Sequence, residues 1–300
     1  MKLKITANGI LIRHTITKFS DGAISVKFDN GHLPVTPEKA RILILSNGNL
    51  NDEFFIIASA VDILRSIDPR IIINLFMPYT PYARQDCRMV RHDAFSLKIF
   101  ADMLNSLELD SVTVMDSHSG VAPALLNNCT NISQEEIFKS EKVLDSVKGW
   151  AEVVVAPDAG ASKKAIKVSE ALGLDSNNLV YLEKVRDVST GSITSTKILN
   201  SDTSVSGRSC LIVDDLCDGG ATFVSAANAL YDRGATHVGL FVTHGLFSRG
   251  IQNLTDNGID RIWTTDSFIN EESVSNKNVV VFSCADIIRN FFYPYGGFVS

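Results

Sequence analysis

Residues 211–223 of this chain, LIVDDLCDGGATF, hold the groups best placed to do chemistry. Two adjacent carboxylates, Asp214 and Asp215, stand where an apolar, β-branched run ends. Such a run reads as a buried strand of a parallel sheet. A small-residue loop follows, formed by Asp218, Gly219, Gly220, Ala221 and Thr222, and then an amphipathic helix over residues 223–233. The backbone N–H groups of such a loop, with the positive end of the helix dipole, take a phosphate. Glycine lets the backbone approach that phosphate with no Cβ between them. Carboxylates at the strand end are placed to accept hydrogen bonds from sugar hydroxyls, so the segment reads as a sugar-phosphate site. It is not the GxxxxGK[ST] nucleotide loop, because the lysine is missing.

Other segments carry related chemistry. Residues 78–91, PYTPYARQDCRMVR, follow a strand pattern and so form a loop at a carboxyl edge, where open α/β sheets bind ligands. Arg84, Arg88 and Arg91 surround Gln85 and Asp86 there. Guanidinium forks match phosphate oxygens, and the neighbouring prolines and tyrosines stiffen the loop. Asp116 and His118 stand just after the next strand, a position suited to a metal or phosphate contact. Residues 156–165, APDAGASKKA, repeat the strand–aspartate–loop–helix order. Asp158 lies at that strand end, and Ala159, Gly160, Ala161, Ser162 and Lys163 form a second anion cradle. Lys163 and Lys164 fall in the first helical turn, against the helix dipole, and so call for an anion or a nearby carboxylate. Lys184 and Arg186, two residues apart just past a strand, point the same way and enter a polar loop able to close over a phosphate chain. Each segment alone also fits a solvated turn or a basic surface loop. Their recurrence at strand ends argues for a site.

The elements that must position these groups alternate along the chain. Residues 1–33 carry alternating patterns and the turn signals Asn8-Gly9 and Asp21-Gly22, which predict short antiparallel strands. Strands at 40–46, 70–79 and 111–116 alternate with helices at 51–66 and 94–106. The second half starts again, with strands at 152–158, 178–184, 209–215, 237–245 and 261–267 and a helix at 162–171. A strand and a helix close the chain over residues 279–292. Strand–helix alternation predicts an α/β fold with mostly parallel sheets flanked by helices. Two domains are expected, 1–145 and 146–300.

Composition agrees with that reading. Three hundred residues suit two domains of ordinary size, and 45% hydrophobic with 21% charged residues is a globular balance. No apolar run approaches the roughly 18 residues that span a bilayer, so no membrane partner is expected. The N-terminus lacks the apolar core of a signal peptide. Five dispersed cysteines, none in CxxC spacing, fit reduced thiols in a cytoplasmic protein and argue against a zinc site. A net charge of −6 opposes nucleic-acid binding.

The segment VDDLCDGGAT resembles the phosphoribosyl pyrophosphate (PRPP) motif shared by type I phosphoribosyltransferases and ribose-phosphate pyrophosphokinases. A transferase would supply that motif alone, usually in one domain. YARQD, DSH, PDAG and the KVR pair stand beside it here, in the order of the pyrophosphokinases. From residue 19 to the C-terminus the chain therefore resembles the ribose-phosphate pyrophosphokinase family. The resemblance implies two type I phosphoribosyltransferase-like domains and diphosphate transfer from ATP to the 1-hydroxyl of ribose 5-phosphate, giving PRPP and AMP. It also implies a Mg²⁺ cofactor and a homo-oligomer, dimer or higher. By the same resemblance Phe19, Asp21, Arg84, Gln85, Asp86 and His118 bind ATP, and His118 and Asp158 reach the metal. Residues 159–163 hold the diphosphate, and Lys184 and Arg186 are the catalytic pair. Asp214, Asp215, Asp218, Gly219, Gly220, Ala221 and Thr222 hold ribose 5-phosphate.

Several segments depart from the family. Its FSDG is followed by a glutamate that reads adenine across a subunit interface, and here by Ala23. The family's first strand–helix unit is replaced by a strand or hairpin. The stretches after YARQD and after DSH, which serve subunit contacts and allosteric control in the family, are also changed. Two other readings are a phosphoribosyltransferase that consumes PRPP and a non-catalytic regulator.

Overall fold

The computed structural model describes residues 2–29, 37–46, 48–186, 193–199, 203–269 and 274–292. The chain divides into two compact units, the first Met1–Ile132 and the second beginning at Ser133. Sequence patterning set the expected boundary later, near 145. The intervening helices α4 (Gln134–Phe138) and α5 (Glu141–Lys148) instead fold with the second unit.

In the first unit, β1 (Lys2–Ala7) and β2 (Ile10–Ile12) form a hairpin. Its turn is the Asn8-Gly9 pair, with φ of +48° and +83°, the left-handed geometry a tight hairpin needs. The Asn8 carboxamide accepts the backbone N–H groups of Glu38 and Lys39, both at 3.1 Å, and so fixes the entry to β5 (Lys39–Leu45). A second hairpin, β3 (His14–Lys18) with β4 (Ile24–Phe28), stands as its own two-stranded sheet. Then follow α1 (Leu50–Ile67), β6 (Ile72–Phe76), α2 (Ser96–Asn105), β7 (Ser111–Met115), α3 (Val121–Leu125) and β8 (Cys129–Ile132). The six-stranded sheet has the order β2-β1-β5-β6-β7-β8, with β5 to β8 parallel. Ile42, Ile73, Leu75 and Val114 of the strands pack with Ile57, Ala60 and Leu64 of α1 and Phe100 and Leu104 of α2.

The second unit continues with β9 (Val153–Ala156), α6 (Ser162–Leu172), β10 (Leu179–Arg186) and β11 (Ile193–Ile198). After them come β12 (Ser209–Cys217), α7 (Ala221–Tyr231), β13 (His237–Gly245), α8 (Ile251–Thr255), β14 (Arg261–Thr265), β15 (Val279–Phe282) and α9 (Cys284–Phe292). The order is β11-β10-β9-β12-β13-β14-β15, parallel except for β11. From β9 the chain moves outward to β10, then returns to β12 on the other side and proceeds outward again. The reversal between β9 and β12 is a topological switch point, where such sheets open a crevice beyond the strands' carboxyl ends.

Two strands that carry site residues extend beyond the sequence patterning, and β8, β11, α3, α4 and α5 are elements it does not name. β12 runs on through Cys217, paired with β13 as Leu216 to His244 and Cys217 to Gly245, so the acidic pair lies inside the strand and not at its end. β10 runs through Arg186 because β11 pairs with it, Lys184 opposite Thr196. Lys184 and Arg186 therefore sit on a strand and not beyond one. Their side chains, and residues 187–192 of the loop expected to close over phosphate, lie outside the described residues.

Packing is tight where β13 crosses two indoles. A Cβ added at Gly239 would lie 2.6 Å from Trp150 and 2.8 Å from Trp263, whose rings meet edge to face. Trp263 is fully buried and donates its indole N–H to Ser146 Oγ at 2.9 Å, so neither ring can retreat easily. Gly239→Ala should cost about 1–3 kcal/mol by overpacking. A denaturant midpoint equal to that of the parent chain would show that the indoles give way.

Candidate active site

Most of the sequence-selected groups of the second unit fall at or just beyond the carboxyl ends of β9 and β12, beside the switch point. Asp214 and Asp215 lie on β12 beyond the stretch paired with β9, Cys210 to Ile212, and within the stretch paired with β13. The Asp214 carboxyl accepts the backbone N–H of Asp215 at 2.9 Å, and the Gln134 carboxamide donates to the Asp214 carbonyl at 2.7 Å. Asp215 is 8% exposed and faces the ammonium of Lys164 at 3.8 Å. The two lysines of the first turn of α6 thus part company. Lys163 is exposed, whereas Lys164 meets the carboxylate that its unfavourable place on the helix dipole demanded. The sequence reading puts Lys163 in the cradle and asks of both lysines an anion or a nearby carboxylate, which Lys164 meets in Asp215. Asp158 accepts the N–H of Ala161 at 3.2 Å and so caps the short turn Ala159–Ala161 that leads into α6.

The loop between β12 and α7 is closed from above. Gly220 has φ of +82°, and a Cβ there would lie 2.5 Å from Leu254 of α8. The connection from β13 to α8 is hydrogen-bonded onto the same loop. Leu246 and Phe247 donate to the Cys217 carbonyl at 2.9 and 3.1 Å, and Ser248 donates to that of Asp218 at 3.1 Å. Asn253 donates to the Gly219 carbonyl at 3.4 Å. The side chain of Arg249 runs over Gly219, its Nε 3.3 Å from where a Cβ would stand. Nothing in the pattern around 218–222 pointed to Arg249, Asn253 or Gln134. The start of α7 leaves N–H groups of its first turn for an anion, with no side-chain cap competing for them.

In the first unit, the loop after β6 and the loop after β7 are tied together. Ser119 Oγ donates to Asp86 at 2.5 Å, and Met115 N–H donates to the Pro78 carbonyl at 3.0 Å. His118, beside Ser119, is exposed, as are Arg84, Gln85, Arg88 and Arg91. Asp116 turns the chain out of β7 with φ of +41°. Tyr82, at φ +61°, donates its hydroxyl to Asn51 at 2.6 Å and anchors the arginine loop to the first turn of α1. The same turn holds the second hairpin, because Lys18 pairs with Asp52 at 2.6 Å. Phe19 and Asp21 form the exposed tip of that hairpin, where Asp21 accepts the Ala23 N–H at 2.9 Å. The structure thus brings Asp86 next to the His118 segment and leaves Phe19 and Asp21 at a separate tip.

Among the described residues no three His, Cys, Asp or Glu side chains gather as a metal site. Asp158 and the Asp214–Asp215 pair offer hard oxygen donors of the kind that take a cation partly held by substrate phosphates. These residues fit a metal that arrives with its ligand.

Electrostatics of the acidic pair are unusual. Burial, then the hydrogen bond and charge of Asp215, push the Asp214 carboxyl up to about 8, while Lys164 opposes the shift. Between pH 4 and 8 the folded chain therefore holds a proton that the unfolded chain releases. Stability falls as pH rises through that window, and the full cost is present above it. Asp214→Asn, neutral throughout, should melt several degrees above the parent chain at pH 8.5 and show little gain at pH 4.5. An equal gain at both pH values in calorimetry would refute the buried proton.

Comparison with known proteins bears on the whole chain. Residues 4–107 match the family described as the N-terminal domain of ribose phosphate pyrophosphokinase, and residues 122–286 match the phosphoribosyl transferase domain. A ribose-phosphate pyrophosphokinase of Vibrio cholerae is 30% identical over 84% of this chain and 78% of its own. That of Shewanella oneidensis is 31% identical over 84% and 77%. The crystal structure of phosphoribosylpyrophosphate synthetase from Mycobacterium smegmatis superposes with a TM-score of 0.78 at 25% identity, covering 93% of this chain and 88% of that one. An α/β chain with two such units, an arginine loop in the first and an acidic pair beside a glycine cradle in the second, belongs to the ribose-phosphate pyrophosphokinase family.

Proposed function

We propose that the chain is a ribose-phosphate diphosphokinase, which moves the β,γ-diphosphate of ATP to the 1-hydroxyl of ribose 5-phosphate. The observation that carries this reading is the β12–α7 segment, where one strand bears two carboxylates, one of them facing Lys164, just before a glycine loop and an uncapped helix start. In this assignment residues 218–222 hold the 5-phosphate, and Asp214 and Asp215 accept hydrogen bonds from the ribose hydroxyls. Arg84, Gln85, Asp86 and His118 contact ATP, with Phe19 and Asp21 at its adenine end. Residues 159–163 take the diphosphate, and Asp158 and His118 hold the cation, which we assign as Mg²⁺. Bound Mg²⁺ neutralises phosphate oxygens and orients the diphosphate.

The hydroxyl oxygen attacks the β-phosphorus in line. The new O–P bond forms as the bond to the α-phosphate bridging oxygen breaks, the hydroxyl proton passes to solvent, and AMP leaves. Charge grows on the bridging and peripheral oxygens, so positioning and cations do most of the work. Lys184 and Arg186 are the residues assigned to that charge. The N-terminal pyrophosphokinase match over residues 4–107 does not favour a transferase that consumes PRPP. Retention of the acidic pair and the Lys184/Arg186 pair does not favour a regulator. A homo-oligomer belongs to the same proposal, and an exposed Phe19 at a hairpin tip suits it. Five cysteines, all free, suit a cytoplasmic setting.

Purified protein with ATP, Mg²⁺ and ribose 5-phosphate should release AMP and PRPP in equal amounts, each dependent on both substrates. PRPP consumed with a nucleobase and no AMP formed would overturn the assignment. Lys184→Ala should lower turnover by about 100- to 1,000-fold and leave ribose 5-phosphate binding nearly intact. Unchanged turnover would remove Lys184 from the chemistry.

A further inference from the structure

The acceptor crevice has an electrostatic problem that its backbone does not solve. Asp214, Asp215 and Asp218 place three carboxyl groups on one strand and the loop that follows it. Lys164, the cation facing them from α6, is already set against Asp215. A phosphate monoester is itself a dianion near neutral pH, and the start of α7 offers it only about half an elementary charge. Recognition by backbone N–H groups alone would pit the ligand against its own site.

Arg249 answers that need. It is exposed, and among the described residues it has no hydrogen-bond or ion-pair partner. It is nevertheless not a loosely placed surface side chain. Its stem lies along the cradle, with Cγ, Cδ and Nε at 3.7, 3.5 and 3.3 Å from the Cβ position of Gly219. Any larger residue at 219 would displace it. The segment that presents it is held at both ends. Phe247 is buried and bonded to Cys217, Ser248 is bonded to Asp218, and Gly250 closes a tight turn back to the Phe247 carbonyl at 2.7 Å. An arginine whose stem lies against the glycine of an anion-binding loop can bring its fork to a phosphate there.

We propose that Arg249 is a phosphate-binding residue of the acceptor site, closing over the monoester held by residues 218–222 and selecting phosphorylated over unphosphorylated sugars. This rests on the ribose 5-phosphate reading given above. Arg249→Ala should raise KM for ribose 5-phosphate by about 10- to 100-fold, the range of a charge-assisted contact. KM for ATP should not move, and most of kcat should survive at saturation. Arg249→Lys should recover only part of the loss, because an ammonium lacks the fork.

Calorimetric titration of parent and variant with ribose 5-phosphate and with inorganic phosphate separates this claim from the reaction. A parent chain that makes PRPP, with an Arg249→Ala variant that binds and uses ribose 5-phosphate equally well, overturns the role of Arg249 and leaves the reaction standing. No PRPP, but sugar-phosphate affinity that falls tenfold in the variant, overturns the reaction and keeps the residue. Parent binding to neither ligand overturns both. Loss with inorganic phosphate but not with ribose 5-phosphate assigns Arg249 to free phosphate and refutes the monoester contact. An unchanged melting temperature in the variant, expected for an exposed side chain, assigns these effects to binding and not to folding.

Discussion

Two neighbouring carboxylates on a strand that β13 holds in register on either side of them cannot easily move apart. That constraint organises the second unit. The strand fixes Asp214 and Asp215 at the switch point, and the free protein eases their repulsion by keeping a proton on the pair and by bringing Lys164 alongside. Lys164 does so from the first turn of α6, which follows the short turn that Asp158 caps. The arrangement leaves the site short of positive charge until a ligand, and any cation it carries, arrives. A hydroxyl or cation meeting the pair finds an acceptor whose charge state is still to be decided, so ligand binding and proton release are linked.

The two loops of this unit proposed to hold anions differ in how they are built. Residues 159–162 form an open turn beside exposed side chains, with one aspartate as its cap. Residues 218–220 are enclosed, because the connection from β13 bonds onto them and Leu254 occupies the space beside Gly220. A fixed cradle suits a ligand group that stays in place during a reaction. An open turn suits one that is transferred. This difference in rigidity agrees with holding a sugar by its phosphate while a diphosphate is delivered to its other end.

Much of the fold was legible because local chemistry and tertiary structure agree. Asn8-Gly9 predicted a hairpin and formed one. The apolar spacing of residues 51–66 predicted α1 to within a residue at each end. The apolar runs of β9, β12 and β13 marked a parallel sheet, and the order of strand, acidic pair, glycine loop and helix was readable from spacing alone. What escaped depended on pairing across the chain. Asp214 and Asp215 are poor strand residues, yet β13 carries β12 past them. Lys184 and Arg186 look like the start of a loop until β11 folds back on them. Lys164 was noticed for the right reason, an unfavourable place on a dipole, but its partner lies on another strand. Arg249 gave no signal, since its neighbour Gly219 is reached only through a full strand–helix–strand excursion.

The first turn of α1 has an implication for how the first unit moves. Consecutive residues, Asn51 and Asp52, hold two different structures, the arginine loop through Tyr82 and the exposed hairpin through Lys18. The helix start is thus a shared hinge pin. A body that leans on the hairpin pulls on the same turn that aims the arginine loop, and the stiffness of an 18-residue helix packed on its sheet keeps that pull local. The hairpin and the arginine loop thus share one helical turn as their anchor.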